Sequence, residues 1–234
     1  MIYYKSRFKR KLIRSINKRK IKIKRLFKKT NWLAHHGIER SGTNYLRCCL
    51  SFLKVDIINE VSGPENNPQH KHFRWYQDKS LIPKFRSRLL NNINACSLKD
   101  INKLCDYPND TKHIIIKKTL IRGITSIANY ALNDNWFKNK EELKKNIPKI
   151  LRDYKAYYNF WKRVSKENPN QVIIISYEDL VASSETLLEV LKKFDISHKV
   201  KVPKKLIFNE LYQSPQKRKK YFSENELSEI ISVR

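Results

Sequence analysis

Long apolar runs are missing from this sequence. No stretch approaches the roughly 18–20 consecutive apolar residues of a membrane span, and the N-terminus lacks the apolar core of a secretory signal. Acids are scarce: 22 Asp and Glu face 50 Lys and Arg, for a formal net charge of +28. Residues 1–30 hold no acid and 14 of the basic residues, so half of the excess sits in that arm. The four cysteines, Cys48, Cys49, Cys96 and Cys105, form no C-x-x-C pair. That spacing favours reduced thiols over disulfides or a metal knuckle, and a cytoplasmic protein is the expectation. There is no internal repeat. With 40% hydrophobic and 11% aromatic residues over 234 positions, the chain has the material for one α/β domain with a full core. The division expected is a basic extension over 1–30 and one folded domain over 31–234. Such a basic surface suits an anionic ligand, a polyanion or a membrane surface without choosing among them.

What is present is best read from Trp32 to Leu50, W-L-A-H-H-G-I-E-R-S-G-T-N-Y-L-R-C-C-L. An apolar run enters Gly37, a short loop carries Arg40, Ser41, Gly42, Thr43 and Asn44, and a helix with Leu46, Leu50 and Leu53 at helical spacing follows. A strand, a phosphate-sized loop and a helix N-terminus in that order attract an anion, because the first amides of the helix are unpaired and carry partial positive charge. Gly37-x-x-x-x-Gly42 matches the first part of a nucleotide-binding P-loop. The next two positions do not: Thr43 stands at the Lys position, and Asn44 at that of the magnesium-binding Ser or Thr.

Further along, Phe8, Leu12 and Ile16 among the basic residues of the arm read as a basic helix or as a solvated tail. The same arm suits a nucleic acid or an anionic surface. Residues 62–68 read as loop. His70-Lys71-His72 is expected to be extended, with both histidines on one side and Lys71 on the other. Residues 99–105 read as a helix within a polar stretch, and 112–118 as a buried parallel strand leading into a helix over 119–132. A long helix over 140–166, broken near Pro148, a second buried strand over 172–177 and a helix to Phe194 come next. The tail carries Lys217, Arg218, Lys219 and Lys220 before an amphipathic segment over 224–231. Strands alternating with helices predict a mainly parallel sheet covered on both faces, with ligands at the strand carboxyl ends, where Gly37, Lys118 and Tyr177 fall.

Three stretches in order resemble the sulfotransferases that use 3′-phosphoadenosine-5′-phosphosulfate (PAPS): E-R-S-G-T-N-Y-L at 39–46, K-K-T-L-I-R-G-I-T-S-I-A-N-Y at 117–130, and V-I-I-I-S-Y-E-D-L-V at 172–181. The resemblance implies a three-layer P-loop NTPase-like fold, a central parallel sheet flanked by helices, with the arm lying outside it. It implies that Arg40, Ser41, Gly42, Thr43 and Asn44 hold the donor's 5′-phosphate, with Arg40 where many relatives have Lys, and that Lys118 and Ser126 hold the 3′-phosphate. Tyr45 stands where relatives often have Trp; contact with adenine and packing within the helix are both open to it. The catalytic base implied is His72, with His70 in place of a second basic residue, while His35 and His36 are expected to pack. The family works without a bound metal, which accounts for Asn44. Two features depart from its pattern. Thr119-Leu120 follows the basic residue, and the C-terminal glycine-rich clamp is missing, with Lys217–Lys220 as a substitute or a solvated tail. The reaction implied is in-line transfer of a sulfuryl group to a hydroxyl or amine, with a glycan the preferred acceptor because the surface is basic. The rivals are a P-loop kinase or NTPase, and a non-catalytic protein that binds nucleic acid or a surface.

Overall fold

The computed structural model describes residues 32–59, 67–76, 78–85, 95–198, 200–204 and 219–232. The expectations for the arm over 1–30, for positions 62–66 and for Lys217 and Arg218 lie outside the described residues.

Three short strands form a parallel sheet in the order β1 (Leu33–His36), β2 (Lys112–Lys117), β3 (Val172–Ser176). The register pairs His36 with Ile115 and Lys117 with Ser176, so all three strands end along one edge. Along β2 the isoleucines divide between two apolar clusters. Ile114 and Ile116 join Leu33, Ile175 and the inward faces of α1 (Thr43–Phe52) and α6 (Glu185–Lys193). Ile115 joins Ala34, Val172 and residues of α2 (Leu98–Cys105), α3 (Leu120–Asn133), α4 (Lys140–Glu167) and α7 (Glu224–Ser232). A strand whose successive side chains both meet apolar partners must be covered on both sides, and helices do this here.

Three of the helices begin at a side-chain cap. Ser97 and Asp100 form a reciprocal capping box at α2, and Asn139 accepts from the Glu142 amide at α4, 2.9 Å. Ser176 closes β3 and caps α5 (Tyr177–Ala182) through the Asp179 amide. The helix expected up to Phe194 is two. Ser184 breaks it, with its amide and hydroxyl both turned to the Lys204 carbonyl and the hydroxyl also to the Pro203 carbonyl. In the other direction, α4 is not broken at Pro148. The ring removes one amide donor on the exposed side, while Leu143, Ile147, Ile150 and Tyr154 keep the helix pressed to the core on either side of it.

The His70–Tyr76 segment is turned, not extended. The His70 carbonyl accepts from the Phe73 amide at 2.9 Å, and the His70 ring Nδ1 accepts from the His72 amide at 3.2 Å. Beyond this turn Arg74 is drawn under the loop by two buried carboxylates. The tail is fastened to α3: Asn133 exchanges hydrogen bonds with Lys219, and Asn129 with Tyr221 and Phe222.

Candidate functional site

The strand-end edge gathers four pieces of chain. The first is the loop from Gly37 to Gly42. A Cβ on Gly37 would lie 2.4 Å from Ser41 Oγ and 2.9 Å from the Ile116 carbonyl oxygen, so the loop closes tightly onto β2. Arg40 has φ 64°, and Gly42, the N-cap of α1, has φ 103°. These two left-handed positions turn the chain sharply into the helix. No side chain caps α1 and no acid occupies its first turn, so no carboxylate of the helix itself offsets its positive end.

The second piece follows β2. The Lys118 ammonium lies 3.4 Å from Ser126 Oγ on α3 and 4.6 Å from the centre of the Tyr177 ring. Burial pushes Lys118 down to about 8, and the positive charge of Arg40 adds to the effect. The third is Tyr177, the first residue of α5. Its ring lies on Gly42, where a Cβ would approach it to 2.2 Å. Tyr177 was legible only as a strand-end residue; its contacts need the fold. Tyr45 is buried in the α1 packing face, with its ring edge-on to Tyr177 at 5.9 Å.

The fourth is the turn at 70–72. His72 lies half-buried under the loop, its Nδ1 2.7 Å from the Gly37 carbonyl oxygen. A carbonyl only accepts, so Nδ1 carries the proton and Nε2 keeps its lone pair. Burial pushes His72 down to about 3, with Lys71 adding to the shift and Glu39 opposing it. His70 is buried and likewise pushed down to about 4, and its ring centre is 5.2 Å from that of His72. Both rings are neutral at pH 7.

Beneath the loop, Arg74 binds Glu39 at 2.6 Å and Asp153 of α4 at 2.8 Å, and donates to the His72 carbonyl at 2.8 Å. Burial opposes its charge, but the two carboxylates override this and hold the guanidinium well above its usual range. The loop, the histidine turn and the long helix are thus tied to one buried cation. His35 and His36 belong to the packing. His35 Nδ1 meets Asn59 Oδ1, and His36 stacks on Trp161 and reaches His113, which in turn meets Asn102.

The structure therefore brings Arg40, Ser41, Gly42, Thr43, Asn44, Lys118, Ser126, His70 and His72 to one edge. It does not bring Lys219, which is held at Asn133, about 10 Å along α3 from Ser126 at 1.5 Å per residue. A shallow depression of about 420 Å³ lined by Asn159, Lys162, Arg163, Lys166 and Glu167 lies on α4 near the start of β3, at the opposite end of the strands. No protein-family model, characterised protein or solved structure matches the chain.

Proposed function

We propose that the chain is a PAPS-dependent sulfotransferase built on a three-layer, P-loop-like fold. The observation that carries this reading is the pairing of two clusters of cations and hydrogen-bond donors on one edge. One is the uncapped, acid-free N-terminus of α1 behind Arg40, and the other is Lys118 with Ser126. A ligand with a 5′-phosphosulfate and a separate 3′-phosphate needs two such sites.

When bound, the donor supplies an activated sulfuryl group, and negative charge grows on its 5′-phosphate as that group leaves. Fixed donors at this spot bind the transition state more tightly than the ground state. Arg40 can grip phosphate through two parallel hydrogen bonds, and the α1 amides and the Thr43 and Asn44 side chains complete the cradle. His72 is the base. The Gly37 carbonyl holds its Nδ1–H, so Nε2 is the atom that takes the acceptor's proton. Acceptors are hydroxyls or amines, and a glycan fits the basic surface best.

The test is thermal unfolding with PAP (3′-phosphoadenosine 5′-phosphate) or PAPS in magnesium-free buffer. A ligand at a hundred times its Kd adds about 2.7 kcal/mol, so the melting temperature should rise by several degrees. Stabilisation by magnesium-ATP alone would replace this reading with a kinase or NTPase. Transfer of labelled sulfate from PAPS onto glycans, alcohols, phenols, amines and tyrosine peptides then identifies the acceptor.

A further inference from the structure

The middle residue of His70-Lys71-His72 has no part in the function proposed above. Lys71 is only 5% exposed, yet its ammonium donates to Asn44 Oδ1, and Asn44 is an exposed residue in the first turn of α1. The Lys71 backbone is fixed from the other side, since its carbonyl accepts from the Gly37 amide at 3.1 Å. Lys71 thus bridges the two ends of the loop, with its cation at the α1 end. Among the described residues no carboxylate lies within ion-pairing distance of it.

The groups that face Lys71 do not neutralise it. Arg47 on α1 repels it, Cys48 on the same helix is a thiol held protonated by burial, and His35, His70 and His72 are neutral at pH 7. Glu39 attracts it but is bound to Arg74 at 2.6 Å. His35 keeps its ring Nε2 buried without a hydrogen-bond partner. A buried charge without a counter-ion is costly, and an anion in the loop would remove that cost.

We propose that Lys71 is the ammonium of this loop: together with Arg40 and the first-turn amides of α1, it grips the terminal oxyanion of the ligand from the side where Thr43 supplies no cation. The ligand class is a phosphate, pyrophosphate or phosphosulfate group, and its identification with the donor's 5′-phosphosulfate rests on the reading above. A lysine arriving from a separate turn fills a position that the loop's own sequence leaves empty. Burial, with Arg47 adding, pushes Lys71 down to about 7 in the free protein. An anion beside it favours the charged form, so binding above pH 7 draws in a proton. Lys118 faces Arg40, Arg122, Glu178 and Glu224 and contributes a second, separable uptake.

The experiment is calorimetric titration of the full chain with PAP, inorganic pyrophosphate and sulfate, at pH 6.5 and 8.5. Two buffers of different ionisation heat report the protons taken up. In Lys71→Met, affinity for PAP and pyrophosphate should fall ~10–100-fold and the Lys71 share of proton uptake should vanish. Its unliganded melting temperature should stay level or rise, because an apolar chain replaces an unpaired buried charge. Lys71→Arg should bind within about tenfold of the parent and take up no proton at this position, because a guanidinium stays charged. It also decides the matter should Lys71→Met not fold.

Unchanged affinity in Lys71→Met, or a loss matched by lost stability, overturns the proposal. If Lys118→Met weakens PAP while Lys71→Met does not, only the Lys71 role falls. If the parent binds pyrophosphate but not PAP, the donor reading falls, and Lys71 is judged on pyrophosphate. A parent that binds none of the three overturns both.

Discussion

At the scale of single residues, the loop depends on two kinds of position: those that shape the backbone and those that carry charge or a lone pair. Gly42 is of the first kind. Its φ of 103° and the Tyr177 ring over it leave no room for a methyl group. Gly42→Ala should lose about 1–3 kcal/mol, read as a fall in melting temperature, together with PAP-induced stabilisation. Adding Tyr177→Ala removes the clash but not the strained φ, so recovery should be partial; full recovery would show that sterics alone matter. His72 is of the second kind. His72→Ala should cut turnover ~10²–10⁴-fold while donor affinity stays near that of the parent. Arg40→Ala should instead weaken donor binding, with charge-assisted contacts worth about 1.5–3 kcal/mol. Equal turnover in His72→Ala would remove the base assignment. Most of these positions were legible from Gly37-x-x-x-x-Gly42 and the strand-end lysine. Lys71 was not, because an extended reading of 70–72 sends it away from the loop, whereas the observed turn sends it to Asn44.

At the scale of elements, the part most exposed to single changes is the join between the loop and α4. Arg74 lies 35 residues from Glu39 and 79 from Asp153, yet all three are buried and both carboxylates are bound to Arg74. Arg74→Met would strand two carboxylates in an apolar setting. The expected loss is ~3–5 kcal/mol by urea unfolding, against a small change for exposed Arg163→Met, whose partner Glu167 is also in water. A loss below ~1 kcal/mol would mean that water or protonation relieves the carboxylates. Nothing in the sequence marks this triad, since an Arg in H-F-R-W-Y and an Asp in L-R-D-Y look like surface charges. The uninterrupted α4 has the same lesson: local chemistry at Pro148 argues for a break, and the buried stripe on both sides of it overrides that preference.

At the scale of the whole molecule, the histidines tie stability to pH. His35, His72 and His113 are pushed down to about 3 and His70 to about 4, and His36 lies well below its usual value, with burial the leading cause in each. Their unfolded values are near 6.5, so below that pH the unfolded chain binds more protons than the folded one. The share of stability that rests on these histidines is therefore whole above pH 6.5 and falls as the pH drops toward 3, at up to about 1.4 kcal/mol per pH unit for each histidine. The urea midpoint should fall steadily between pH 7 and pH 5. An unchanged midpoint over that range would show that these rings are hydrated.

Neighbours along the chain set the alternation of strand and helix, the glycine loop ahead of α1 and Lys118 at a strand end, and all three could be read before any fold was known. The tertiary structure alone decided what depends on distant pieces meeting. It placed Tyr177 over Gly42, tied Glu39 to Asp153 through Arg74, fixed the proton of His72 on Nδ1 against Gly37, and turned Lys71 toward Asn44. The physical reason is that periodicity and caps are set by local geometry. A buried charge is set by whichever remote partner the packing brings to it, and one sequence in isolation carries no record of that partner.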